Sequence, residues 1–355
     1  MQSCKQLKML PIKNNFLLLR MLFALFVIAT HAVLLSGSGE NDFLFQWSHQ
    51  QLNLSYLGVR GFFVISGFLI YKSLLRSSSL IDYATKRALR IFPGLLCALL
   101  LSAFVIGPCC TQLSWSAYWS NPSTYTYVLS SLKIPGIAPN PNLPGCFTQN
   151  PYSAIANGSL WTIWYELLCY AGIASFFILK SDSFIQKLVL SIVFLNLYIG
   201  LTFFDARLSS GFLPGAHSSL SLSFDVLIYF IAGALGSFIN WKSFTYKKHL
   251  AWGATAVLVL SVYLHLSTWT LYICWPLIVL SIGTMHFKAL DKVQSWGDPS
   301  YGLYIYAFPM QQVLVQLHPM QGWQLFCASL LVLLPIAYGS WHLLERRCIQ
   351  LKKRA

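Results

Sequence analysis

Ten separate runs of about 20 predominantly apolar residues occupy this chain, at approximately 16–35, 55–75, 88–107, 159–179, 184–203, 222–239, 249–267, 269–287, 300–318 and 323–343. About 20 such residues is what a helix needs to cross the hydrocarbon core of a bilayer, where each backbone N–H and C=O must find its partner within the segment. Only 10% of the 355 residues are charged and 56% are hydrophobic, whereas a soluble domain carries about 25% charge. Such a surface cannot keep two ordinary domains in solution, so a soluble enzyme, a disordered chain and a coiled coil are all excluded. The expectation is an all-α polytopic membrane protein of ten transmembrane helices. The seventh and eighth runs, parted only by Ser267-Thr268, should form a tight hairpin.

The net charge is +14, and its placement gives the orientation. An even number of spans alternates the loops between two sides. Twenty of the 24 Lys and Arg then fall on one side, among them Lys5, Lys8, Lys13, Lys72, Arg76, Lys86 and the tail from Arg346 to Arg354. Only Lys133 and Arg207 lie on the other. Positive residues mark the cytoplasmic side, so both termini are expected there, and the basic balance is no sign of nucleic acid. The first span has no small-residue cleavage site after it and reads as a retained helix.

The whole of 1–355 reads as one integral-membrane domain, with 108–158 as an extracytoplasmic loop inside it. A loop this long is commonly functional. Its Trp115, Tyr118, Trp119, Tyr125 and Tyr127 either stack on sugar rings or form an interfacial aromatic belt. Cys109, Cys110 and Cys146 allow one disulfide or three free thiols. With no C-x-x-C pair among nine cysteines, no metal site is expected.

Ionisable groups within spans are costly, which makes each a functional candidate. Arg20 and His31 share the first span. Their spacing is about three turns, so both project from one face, roughly 16 Å apart along the axis. A cation near the cytoplasm and an imidazole further out suit a ligand that enters from inside and reacts higher up. The bland alternative is a snorkelling Arg and a buried, hydrogen-bonded His. Arg87 and Arg90 lie three apart on one helix face, a fork suited to phosphate. They are also ordinary inner-boundary anchors, and the Pro93-Gly94 that follows would open or kink the helix. Glu166, among Trp161, Trp164 and Tyr165, needs a partner from another helix. His31 reaches a similar depth, and a carboxylate beside it would set the imidazole tautomer.

Four further groups carry less weight. Asp225 reads as a helix-start acid, Arg60 as a structural counter-ion, Ser66-Gly67 as a site of close helix approach, and Glu345 as an exposed inner-side partner of Arg346 and Arg347. His286 and Asp291 have H-x-x-x-x-D spacing, here a chance match in a short cytoplasmic turn. Asn157-Gly158-Ser159 is formally a glycosylation sequon but reads better as a helix-entry motif. Serine-hydrolase, zincin and NTPase motifs are missing.

Taken together, the motifs resemble the acyltransferase-3 family of membrane O-acyltransferases. The resemblance rests on Arg20…His31, on Gly61-Phe62-Phe63-Val64-Ile65-Ser66-Gly67-Phe68-Leu69-Ile70, and on Arg87-Ala88-Leu89-Arg90. It continues through Asn157-Gly158-Ser159-Leu160-Trp161-Thr162 with Glu166, then Ser300-Tyr301-Gly302-Leu303-Tyr304-Ile305-Tyr306 and the basic tail. One departure stands out: many relatives carry His where this chain has Ala307, before Phe308-Pro309. That moves the weight to His31.

The resemblance implies an integral-membrane enzyme of a bacterial inner membrane that moves an acyl group, foremost acetyl, to a saccharide or lipid-linked glycan outside. Cytoplasmic acyl-CoA, foremost acetyl-CoA, would be the donor. Arg20, Arg87 and Arg90 would bind the donor phosphates. His31 would be base or transient acyl carrier, oriented by Glu166. No metal and no nucleic acid enter. Membrane lipids surround the chain, in a homo-oligomer or a glycan-synthesis complex. The rival readings are a transporter or flippase of a glycolipid or small solute, against which the lack of internal symmetry counts, and a non-catalytic scaffold.

Overall fold

The computed structural model describes residues 14–132, 141–178, 182–204, 219–288 and 291–351. Each of the ten apolar runs coincides with a helix: α1 (Phe16–Val33), α2 (Leu54–Leu74), α3 (Leu80–Leu101), α4 (Trp161–Ile178), α5 (Ser183–Ile199), α6 (Ser219–Gly236), α7 (Lys247–Tyr263), α8 (Ser267–Gly283), α9 (Ser300–Leu317) and α10 (Gly322–Ser340). Among the described residues there is no strand, only two isolated bridges, Thr111–Cys146 and Asn142–Ile155. Among the described residues five helices are long and apolar enough to cross a membrane, counting the turns that continue α1, α3, α5 and α10. Lys5, Lys8, Lys13, Lys133, Lys180, Arg207 and residues 352–354 lie outside the described residues.

Burial sorts the helices into centre and rim. The apolar window of α2 is 72% buried, against 17% for those of α5 and α10. Leu331, Trp252 and Tyr263 point outward with over 70% exposure. Such a surface would aggregate in water, and a lipid environment is its natural solvent. At the centre α1 packs on α2, α9 and α10, while α2 lies most extensively against α6.

Two glycines explain that last contact. A Cβ on Gly67 would stand 1.9 Å from the Phe230 carbonyl oxygen, and one on Gly233 would stand 2.1 Å from that of Val64. The α2 and α6 backbones therefore touch at two reciprocal points, as small residues permit in membranes. The same pair is riveted by Arg60, whose Nε donates to Asp225 Oδ2 at 2.8 Å and whose Nη2 donates to the same oxygen. Tyr56 donates to Asp225 Oδ1 at 3.0 Å. Asp225 is thus a structural counter-ion to Arg60 rather than only a helix-start acid. Gly233→Leu is expected to force the helices apart and cost more than the ~1–3 kcal/mol of ordinary overpacking. Arg60→Ala should cost about 3–5 kcal/mol, because a largely buried carboxylate is left alone. Thermal unfolding of detergent-solubilised protein checks both.

Several local expectations change. α3 runs through Pro93 without ending, although proline removes the hydrogen bond to the Leu89 carbonyl. Ser79 caps its start and Asp82 pairs with Lys86 at 2.5 Å. α7 and α8 do form a hairpin, turned by Leu264–Leu266 with His265 at φ +57°. Glu345 is 1% exposed and accepts from Ser340 Oγ at 3.0 Å, so it is no surface partner of the basic tail. Cys109, Cys110 and Cys146 are free thiols. Burial pushes the Cys146 thiol up to about 12, which keeps it protonated and unreactive. In the same loop Tyr118 and Tyr127 are fully buried, and Trp119 stacks on Phe104 at 5.9 Å. These three rings are packing elements rather than a sugar platform.

Candidate active site

A cavity of about 150 Å³ opens between α1, α2, α3, α4 and α9. Arg20, Arg87 and Arg90 line it together with Ser66, Glu166 and Tyr170. Four of the five residues singled out from sequence therefore share one chamber, and His31 stands apart from it.

The positive end is organised by a residue that sequence reasoning missed. Asp298 Oδ2 receives Arg20 Nη1 at 2.5 Å and Arg90 Nη2 at 2.7 Å, while its Oδ1 accepts from Ser300 Oγ at 2.5 Å. Asp298 sits in the turn before α9. Burial raises its pKa, but the two guanidiniums and Ser300 outweigh burial and hold the carboxyl well below the usual carboxylate range. The signal was charge accounting: two arginines inside spans need a counter-ion, and the chain has only 10 acids. Arg87 is arranged differently. Its Nη2 lies 3.3 Å from Ser73 Oγ, its shielded Nε has no partner, and the guanidinium faces the Tyr170 ring at 6.0 Å. Among the described residues it pairs with no carboxylate, which leaves its charge free for an anion.

A second wall is polar and hydrogen-bonded within itself. Glu166 Oε1 accepts from Ser66 Oγ at 3.1 Å and from the Tyr170 hydroxyl, and Ser66 Oγ also approaches that hydroxyl at 3.3 Å. Glu166 therefore finds its partners on α2 and its own helix, and the expected contact with His31 is not made. The start of α4 is docked on α9 by the Asn157-Gly158-Ser159 segment. Asn157 Nδ2 donates to the Ile305 carbonyl at 3.0 Å, and its Oδ1 receives Ser159 N at 3.0 Å. Thr162 Oγ1 and the Tyr304 hydroxyl meet at 2.7 Å. The segment is a helix-entry motif, and the Asn157 side chain is 1% exposed.

His31 is held further along α1 by its surroundings rather than by a carboxylate. Its ring lies edge-on to Phe308 with centroids 5.1 Å apart, and its shielded Nδ1 has no partner. The neighbouring Thr30 donates to Asp42 Oδ2 at 2.6 Å and accepts from Ser55 N at 2.8 Å. From the other side Gln311 Nε2 donates to the Ile28 carbonyl at 3.0 Å. Ala307 is fully buried, so this position contributes packing and the imidazole comes from α1 alone. His286 and Asp291 do meet, at 2.6 Å, between α8 and α9, and neither lines the arginine chamber.

The family model for the type-3 Acyltransferase domain matches residues 14–342. An O-acetyl transferase of Shigella phage Sf6 is 31% identical over 348 residues, covering 94% of this chain and 95% of the phage protein. Nodulation protein 10 of Rhizobium leguminosarum bv. viciae is 32% identical over 177 residues, 44% of this chain and 42% of that protein. No solved structure matches the chain.

Proposed function

This chain belongs to the acyltransferase-3 family and is a membrane acyltransferase; on that premise we propose that it moves an acetyl group from cytoplasmic acetyl-CoA to a hydroxyl of an extracytoplasmic saccharide or lipid-linked glycan. Ten crossings with both termini inside, in a bacterial inner membrane, complete the reading. What supports it most is the single chamber that brings three arginines together with Ser66, Glu166 and Tyr170.

The donor enters from the inner side, and its phosphates meet Arg87 first, then Arg90 and Arg20. The pantetheine arm follows the chamber along the Ser66–Glu166–Tyr170 wall, and the thioester stops toward the level of His31. His31 takes the proton of the acceptor hydroxyl as its oxygen attacks the thioester carbonyl. The C–O ester bond forms, the C–S bond breaks, and the proton passes to the departing CoA sulfur. His31 Nδ1 has no hydrogen-bond partner in the protein, so no carboxylate or carbonyl competes there for that proton. Glu166 forms the acidic face of the donor chamber rather than an orienting partner of the imidazole.

The test uses membrane vesicles holding the protein, acetyl-CoA labelled in the acetyl group, and a saccharide acceptor. Label is expected in the alkali-labile carbohydrate fraction with release of free CoA thiol. An acceptor that crosses the membrane while acetyl-CoA remains intact would replace this reading with transport. Glu166→Gln, which keeps the shape and a hydrogen-bonding oxygen, is expected to change acetyl-CoA affinity more than the transfer step, because Glu166 lines the donor chamber and does not touch His31.

A further inference from the structure

A second cavity, of about 280 Å³, lies where the turn continuing α1 meets the 147–151 loop and the end of α9. Its polar lining is Ser36, Gln112, Thr148, Gln149, Asn150 and Gln316, and none of its lining residues is charged. By the orientation proposed above it faces the extracytoplasmic side, at the opposite end of α1 and α9 from the arginines.

Its walls are fixed before any ligand arrives. Asn150 Nδ2 donates to the Gln312 carbonyl at 3.0 Å and to its Oε1 at 2.7 Å. Gln312 Nε2 donates in turn to the carbonyls of Tyr152 and Ile155 at 2.9 and 2.8 Å. Phe147, 2% exposed, holds φ +55°, a backbone conformation that only a well-determined surrounding sustains. Gln316 gives its Nε2 to the Cys110 carbonyl at 3.1 Å, and its Oε1 has no partner. Packed apolar side chains lead from the cavity wall to the base. Its wall residue Val315 belongs to the cluster of Ala32, Leu35 and Phe308, and Phe308 is the ring that packs against His31.

We propose that this cavity binds the acceptor, as a neutral saccharide unit. Carboxamides both donate and accept, as sugar hydroxyls do, and they carry no charge to favour a phosphate or a uronate. The size is near the low end of small-molecule pockets, room for about one sugar residue with the rest of the chain outside. Val315 and Met320 offer the apolar surface that the C–H face of a sugar needs. This assignment deepens the acyltransferase reading and rests on it for the identity of the bound sugar as an acceptor.

The test is binding of purified full-length protein in nanodiscs to neutral hexose, 6-deoxyhexose and N-acetylhexosamine oligomers, with uronic-acid oligomers as anionic controls. Wild type is expected to retain at least one neutral class over the anionic ones. Gln149→Trp, which fills the cavity from an exposed position, and Gln316→Leu should each weaken that binding at least tenfold, with acetyl-CoA binding unaltered. Equal glycan binding by wild type and both variants, preference for the uronates, or no glycan binding at all would each overturn the assignment. Glycan binding that the two variants abolish, in a protein that never consumes acetyl-CoA, would keep the cavity and remove the acyltransferase reading instead.

Discussion

Alanine in place of His31 is expected to lower acetyl transfer by about 10²–10⁴-fold, the usual contribution of a positioned general base. Acetyl-CoA affinity should stay at the wild-type value, because His31 does not line the arginine chamber. The loss should therefore appear in kcat. An unactivated hydroxyl is a poor nucleophile near neutral pH, and Glu166, already hydrogen-bonded to Ser66 and Tyr170, is not placed to substitute. Removing the ring also opens a hole beside Phe308. His31→Gln, which fills most of that space with an amide that cannot take a proton, should be as inactive as the alanine variant. Wild-type transfer by either variant, with an unchanged melting temperature, would take His31 out of the reaction.

How much of this was legible in the sequence depended on the kind of constraint. Each of the ten apolar runs coincides with a helix because lipid imposes length and composition locally, segment by segment. Arg20, Arg87, Arg90 and Glu166 were legible as rare ions in apolar helices, and they share a cavity. Pairing was not legible. Glu166 and His31 looked like partners by depth alone, yet depth says nothing about which faces of α1 and α4 are turned toward each other. Glu166 took Ser66 from the crossing with α2. Asp225 went to Arg60 because the close approach at Gly67 and Gly233 brings α2 and α6 together. Glu345 looked exposed beside two arginines, and the fold turned it inward onto Ser340. Asp298, in a loop, escaped a search confined to spans, although two arginines required it. Tyr118 and Tyr127 show the same limit in the outer loop, where composition offered an interfacial belt or sugar stacking and the fold used both rings as core.

The three arginines are expected to separate into two behaviours, because only two of them are tied to Asp298. Arg87→Ala should weaken acetyl-CoA binding by about 10- to 100-fold, the worth of one charge-assisted hydrogen bond of about 1.5–3 kcal/mol. It should leave the melting temperature unchanged, since no carboxylate loses its partner. Asp298→Ala should do the reverse first. Two guanidiniums, each about one-fifth exposed, would face each other without a counter-ion, at a cost near the ~3 kcal/mol lower end for a broken buried pair. Donor affinity should then fall or rise according to whether Asp298 holds Arg20 and Arg90 in place for phosphate or competes with it. The chamber geometry favours holding: both arginines converge on Oδ2, while Oδ1 is fixed by Ser300, so the fork is set before the donor arrives. The linkage sign supports a test at ordinary pH. With the Asp298 carboxyl held below its unfolded value of about 3.9, its stabilisation is fully present above that value and is lost only as pH falls through the depressed one. Between pH 5 and 9 the Asp298 contribution should therefore be flat. Acetyl-CoA titrations of Arg87→Ala and Asp298→Ala across that range, each beside a melting curve, distinguish an anion-binding arginine from a carboxylate that positions two others. Equal loss of affinity and stability in both variants would mean that the three arginines act as one structural cluster.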